Sequence, residues 1–171
     1  MSKEILTLVD KNDNVIGEEL REKCHKQGLW HRASTIFILN SKDEVLIQKR
    51  APNMSHPNRW CTSASGHVLV DESYEQAAKR ELKEELGIEC EFKEIGKLAE
   101  RTIGRPDEIE NEYNMVYVCY HEGPFNPQKE ELAEVKFISI PELRKEIEQD
   151  RNNFTPGFLL ELRYFLENKE Q

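Results

Sequence analysis

The chain has 171 residues, with 33 Asp plus Glu against 24 Lys plus Arg and a formal net charge of -9. Such an acid excess speaks against long nucleic acids as partners, because binding them needs a basic face to displace counterions. At 37% hydrophobic and 33% charged residues, the chain is polar yet carries apolar runs throughout, so it reads as one folded domain, residues 1–171, rather than a disordered segment.

In chain order, Ile5 to Val9 is extended, Asp10 to Asn14 is turn chemistry, and Val15 to Gly17 returns as a hairpin. Glu18 to Gln27 reads as a short polar helix closed by Gly28. Thr35 to Leu39 and Val45 to Lys49 are partly β-branched runs that predict a second hairpin, and Ala51 to Trp60, with two prolines, predicts an irregular loop. A helix is predicted from about Ser73 to Leu86, then strands near Cys90 to Leu98, Glu112 to Tyr120 and Val135 to Ile140. Two helices close the chain. One starts at Pro141. The other starts at Pro156 after a Thr155 cap and carries Phe158, Leu159, Leu162, Phe165 and Leu166 as an apolar stripe, read as core or as the face of a homodimer. Strands mixed with helices indicate a layered α/β domain.

No apolar run approaches the ~20 residues a membrane span requires, and the N-terminus lacks an apolar leader segment. Cys24, Cys61, Cys90 and Cys119 are widely spaced, which argues against a disulfide framework or a zinc site. A cytoplasmic protein with no membrane partner is the expectation.

The informative stretch is Gly66 to Ile88. Ser73 and Gln76 form a capping-box pair, Tyr74, Ala78, Leu82 and Leu86 repeat every four residues, and Gly87 supplies a left-handed C-terminal position. Glu81, Glu84 and Glu85 then sit at i, i+3 and i+4 on one face. Like charges so spaced cost an isolated helix a few tenths of a kcal/mol per pair, roughly. A divalent cation held by oxygen ligands would offset that; Mg²⁺ characteristically takes a few carboxylates plus substrate phosphate and water. Arg80, four residues before Glu84, is placed to orient a carboxylate, and the small Ala77 leaves room for a ligand. Three clustered glutamates alone would more often be a solvated face.

The wider pattern changes that balance. From Gly66, five residues lead to Glu72, and seven more lead to Arg80-Glu81-Leu82-Lys83-Glu84-Glu85-Leu86-Gly87-Ile88. This segment, 66–88, fills every defined position of the Nudix box and resembles the Nudix hydrolase superfamily. The resemblance implies an α/β/α sandwich with a mixed β-sheet. It also implies Mg²⁺- or Mn²⁺-dependent hydrolysis of a small diphosphate-linked substrate. Metal would be held by Glu81, Glu84, Glu85 and the Gly66 carbonyl, with Glu72 and Arg80 organising loop and helix. The proton acceptor stays open among Glu84, Glu85, Glu131 and Glu134.

Further stretches, Gly28-Leu-Trp-His31-Arg-Ala33, Gln48-Lys49-Arg50, Trp60-Cys-Thr-Ser-Ala-Ser-Gly-His67 and Phe154-Thr155-Pro156, resemble the branch containing isopentenyl diphosphate isomerases and the bacterial YfcD-like hydrolases. The isomerases bind a metal through histidines and glutamates, and His25, His31, His67, Glu110 and Glu112 fall at comparable places. They also use a cysteine two residues before one of those histidines; here that position is Ser65, which speaks against isomerase activity. Each histidine and the Glu110–Glu112 pair has an ordinary surface or packing reading beside this one. Arg50, Arg59, Arg101 and Arg105 suit phosphate contacts by their chemistry, and Trp30, Trp60 and Tyr113 suit stacking, though core packing is the commoner role of such aromatics. The expected function is a Nudix hydrolase acting on a pyrophosphate bond. The alternatives are an isopentenyl-diphosphate-isomerase-like enzyme and a diphosphate-binding module without turnover.

Overall fold

A computed structural model describes residues 3–171. The chain order is β1 (Ile5–Val9), β2 (Val15–Leu20), α1 (Arg21–Gln27), β3 (His31–Leu39), β4 (Val45–Arg50), β5 (Trp60–Cys61), β6 (Ala64–His67) and α2 (Tyr74–Leu86), followed by β7 (Phe92–Ile103), β8 (Ile109–Tyr120), β9 (Leu132–Ile138), α3 (Ile140–Gln149) and α4 (Pro156–Asn168). These nine strands form one mixed sheet among the described residues.

The hub is β3. It pairs antiparallel with β1, β4 and β6, and parallel with β8 over its full length, from His31 opposite Glu112 to Leu39 opposite Tyr120. Its second half, Ile36 to Leu39, is an unbroken apolar run because both faces are covered there. Ile36 and Ile38 face α2 through Ala78, Leu82 and Leu86, while Phe37 and Leu39 join the layer of α3 and α4 through Leu143, Phe158, Leu162 and Phe165. Helices on both faces of a mixed sheet make the α/β/α sandwich expected from the sequence. Each Leu, Ile or Phe so buried stabilises the fold by about 1.5–3 kcal/mol. The α4 stripe is core: Phe158, Leu162 and Phe165 are buried, and Leu159 and Leu166 are packed against them.

Several boundaries differ from the sequence reading. Glu18 to Leu20 continue β2, paired with Ile5 to Thr7, so the first helix is shorter and begins at Arg21. Strand pairing overrides the polar pattern there. β3 begins at His31 rather than Thr35, because parallel pairing with β8 extends it. β7 runs to Ile103 and β8 starts at Ile109, since the two strands pair with each other to their ends. No helix among the described residues is long and apolar enough to cross a membrane.

Candidate functional site

Helix α2 is built as its sequence predicts. The Ser73 side chain accepts from the Gln76 amide at 3.1 Å, and the Gln76 side chain accepts from the Ser73 amide at 2.8 Å. Gly87 ends the helix at φ +66°. With Ala78, Leu82 and Leu86 inward, Glu81 and Glu85 come to lie at the edge of the buried face, and Glu84 stays exposed. Ala77 is fully buried and does not line the cavity, so its small side chain serves helix–sheet packing and not ligand room.

These carboxylates border a cavity of about 220 Å³. Gln48 donates to Glu85 at 2.8 Å. A Cβ on Gly66 would collide with the Glu81 carboxylate, so the glycine lets that carboxylate lie directly against β6. Arg80 braces the helix against the loop. Its Nε and Nη2 grip both Glu72 oxygens at 2.7 and 3.0 Å, Nη2 donates to the His67 carbonyl at 2.9 Å, and Nη1 reaches Glu81 and, at 3.3 Å, Glu84. Glu72 also accepts from the Leu69 amide at 3.0 Å, which closes the loop. Burial pushes the Glu81 carboxyl up to about 7 against the pull of Arg80. Burial and the neighbouring Glu81 charge push Glu85 well above the carboxylate range. Two desolvated acids side by side are the electrostatic complement of a cation.

The residue after Gly66 opens a second group. His25, His31, His67 and Glu112 bring ligand atoms within 4.8 Å of one another. His31 and His67 each set a ring Nε2 against Glu112 Oε1, at 3.3 and 3.2 Å. The other nitrogen of His31 lies 2.8 Å from the Leu29 carbonyl, which fixes the ring as a second partner does in metal sites. His25 Nε2 is buried without a hydrogen-bond partner. Burial and the flanking histidines hold His25 down at about 3, so it is a neutral imidazole with a lone pair to give. Burial would lower His67 too, but Glu112 and Glu4 carry it to about 9. Glu112 is held well below the carboxylate range by the two imidazoles despite its burial. An orphaned imidazole nitrogen beside two more imidazoles and a carboxylate is a donor set that suits a divalent metal ion.

Glu110 does not join this group. It lines the same cavity and accepts from Thr102 at 3.1 Å. Ser65 and Cys61 both line the cavity. Arg50 lines it as well, but its guanidinium is bound to the Ser55 carbonyl and hydroxyl at 2.6 and 2.9 Å. Glu131 lines the cavity and Glu134 does not. Arg59, Arg101 and Arg105 lie outside the lining, and Trp30 packs on Tyr113 at 5.0 Å while Trp60 lies beneath Lys136. Those loop arginines and aromatics therefore contribute no contact to this site.

Sequence reasoning missed Gln48, Glu100, Asn114 and Glu161, all buried and all in the cavity wall. One signal was available. Glu161 is three residues after Phe158 and four before Phe165, which puts it on the inward stripe of α4. Burial raises Glu161 to about 7 and Glu100 well above the carboxylate range.

The chain matches the NUDIX domain over residues 29–158. It is 35% identical over 157 residues to an isopentenyl-diphosphate Delta-isomerase of Serratia proteamaculans, covering 91% of this chain and 88% of that protein. It is 31% identical over 160 residues to a prenyl-diphosphate phosphatase of Methanosarcina mazei, covering 90% of this chain and 89% of that protein. A crystal structure from Deinococcus radiodurans shares the fold with a TM-score of 0.72 at 24% identity, over 86% of this chain and 90% of that one. With the complete Gly66 to Ile88 pattern folded as loop and helix beside the cavity, this chain belongs to the Nudix family and is related to proteins named isopentenyl-diphosphate isomerase.

Proposed function

We propose that this chain is a divalent-cation-dependent hydrolase that cleaves the diphosphate bond of a small molecule in which a nucleoside or another group is carried on diphosphate. One observation carries the reading: the Glu81, Glu84 and Glu85 face of α2 borders the same cavity as His67 and Glu112, the two members of the histidine group that reach the cavity wall, and the two sets meet at Gly66 and His67. Glu81, Glu84, Glu85 and the Gly66 carbonyl are the ligands on the helix side. Bound Mg²⁺ or Mn²⁺ supplies charge neutralisation of the diphosphate and acidifies the attacking water. Arg80 holds Glu81 and Glu84 in place and ties them to the loop through Glu72. The proton acceptor is one of Glu84, Glu85 and Glu131; Glu134 is set aside because it lies outside the cavity wall.

An isomerase reading is favoured by the histidine group and by the relatives' names. Against it stands the thiol chemistry. Ser65 offers a hydroxyl where the isomerases carry a cysteine. The cavity's Cys61 thiol is pushed by burial up to about 12, which leaves it protonated and inert at neutral pH.

The test is a panel of nucleoside, sugar, dinucleotide, thiamine-type, prenyl and aminoalkyl diphosphates assayed with Mg²⁺ and Mn²⁺, reading phosphate and product mass. Wild-type protein is expected to hydrolyse at least one member, and Glu85→Gln and Glu84→Gln to lose on the order of 10²-fold or more in rate. Full activity in both variants, or no hydrolysis of any member by the wild type, refutes the proposal. Interconversion of isopentenyl and dimethylallyl diphosphate without hydrolysis would favour the isomerase instead.

A further inference from the structure

Beyond the histidine group the cavity has an inner end whose chemistry points to the substrate. On β8, Glu110, Glu112 and Asn114 share one face by strand alternation, so Asn114 lies about 6–7 Å further along than Glu112. On β7, Glu100 pairs with Glu112. α4 closes this end with Glu161. Asn114 is 1% exposed, and Glu100 and Glu161 are each 6% exposed.

The hydrogen bonds here are asymmetric. Asn114 Nδ2 donates to Glu161 Oε1 at 3.1 Å and to Glu100 Oε1 at 3.3 Å, and the Thr35 hydroxyl donates to the same Glu161 oxygen at 2.9 Å. Those donors are spent inside the cluster. The atoms left over are Asn114 Oδ1, an acceptor, and Glu100 Oε2, both buried and both without a partner. Buried polar atoms are nearly always satisfied, so each such orphan calls for a donor from elsewhere. Beside them α4 carries Gly157, where a Cβ would meet only Glu100 Oε1, at 3.9 Å, so there is room for a ligand group.

We propose that Glu100, Asn114 and Glu161 form a subsite for a protonated amine on the group attached to the diphosphate. An ammonium presents three donors and no acceptor, and it matches two carboxylates and an amide oxygen. A hydrocarbon chain placed here would leave the same oxygens unpaired, whereas an ammonium gains on the order of tenfold in affinity for each one it satisfies. The preferred substrate is thus an amine-bearing diphosphate ester and not a prenyl diphosphate. The inference rests on the cavity being the diphosphate site.

The experiment compares 3-aminopropyl diphosphate with n-butyl diphosphate, which have the same number of heavy atoms. Binding is measured by calorimetry with Ca²⁺ in place of the activating cation, and hydrolysis with Mg²⁺ or Mn²⁺. The amine is expected to bind at least about 10-fold tighter, the worth of one hydrogen bond to a charged group. Glu161→Gln should erase most of that preference. Gly157→Leu, which fills the space beside Glu100 without removing either carboxylate, should weaken amine binding and leave a normal melting transition. Preferred amine binding without hydrolysis would uphold the subsite and count against the hydrolase reading alone. Equal or tighter binding of the butyl ester, or binding of neither, overturns the subsite. If Glu161→Gln instead removes stabilisation by Mn²⁺ alone, the group holds a metal ion, and its assignment to a substrate amine is wrong.

Discussion

Arg80→Lys is the most informative single substitution outside the metal-facing carboxylates. Arg80 donates to Glu72 through two nitrogens, to the His67 carbonyl, and to Glu81 and Glu84. A lysine keeps the charge but has no planar fork, so it can satisfy Glu72 or Glu81 but not both with the carbonyl. A hydrogen bond to a charged group contributes about 1.5–3 kcal/mol when its partner cannot reach water. Arg80 is 22% exposed on its side chain, so solvent takes up part of the loss. Losing the equivalent of two bonds, with that discount, costs about 2–4 kcal/mol. For a chain of this size each kcal/mol moves the melting temperature by about 2–4 °C, which gives a drop of about 5–15 °C. The catalytic effect is separate. Glu81 and Glu84 lose their common anchor, and a displacement of about 1 Å in a catalytic constellation can cost on the order of 10²-fold in rate. Differential scanning calorimetry and kcat/KM at saturating Mg²⁺ measure the two effects. An unchanged melting temperature and unchanged Mg²⁺ dependence would refute the reasoning, and would mean that helix packing alone positions the carboxylates. A drop in stability with full activity would make Arg80 a brace of the loop and nothing more.

Three further outcomes follow from the geometry. Mn²⁺ at about 100 times its dissociation constant should stabilise the wild type by about 2.7 kcal/mol, and His67→Gln should lose much of that gain in a thermal-shift titration; an undiminished shift would dissociate the histidine group from metal binding. Cys61→Ala should retain turnover and resist no thiol reagent that the wild type does not, because burial keeps the native thiol protonated; loss of turnover with an intact fold would revive the cysteine chemistry of the isomerases. Asp13→Asn should destabilise the fold by about 1–2 kcal/mol at neutral pH, since Asp13 accepts from Arg32 at 2.7 Å and Tyr74 at 2.8 Å and also pairs with Lys97. Burial works to raise the Asp13 carboxyl, yet those partners hold it below its ordinary 3.8. A depressed folded-state pKa gives stability that is present above the unfolded value and lost as pH falls through the folded one. The gap between wild type and variant should therefore be flat near pH 7 and close below about pH 4 in denaturant melts; a gap that persists in acid would show that the carboxylate charge is not its source.

The helix that carries the acids was legible because every determinant is local. Ser73, Gln76 and Gly87 set its ends, and Ala78, Leu82 and Leu86 set its face. The apolar half of the hub strand was legible from its composition, but not the full length, since the polar stretch His31 to Ser34 is held as strand by pairing with β8, β6 and β1. Glu18 to Leu20 misread as helix for the mirror-image reason: a polar stretch with no period of its own takes the conformation of its neighbour. The histidine group was nameable by resemblance, while its closeness to Glu112 depends on residues 81 positions apart. Glu100 and Asn114 carried no signal at all. Their burial is decided by where α4 lands, and no local rule reports that.

The parallel pairing of β3 with β8 has a consequence for folding. His31 opposes Glu112 in that register, and strand side chains alternate between faces. A slip of a single residue would send Glu112 to the opposite face and take Glu110 and Asn114 with it, so the acidic wall and its apolar reverse would trade places. Pairing across so many intervening residues is among the slower events in folding, because the chain must close a long loop before any contact rewards it. A ligand of the histidine group would thus bind only chains whose two central strands have already found their alignment, and it would draw the population toward that alignment by mass action.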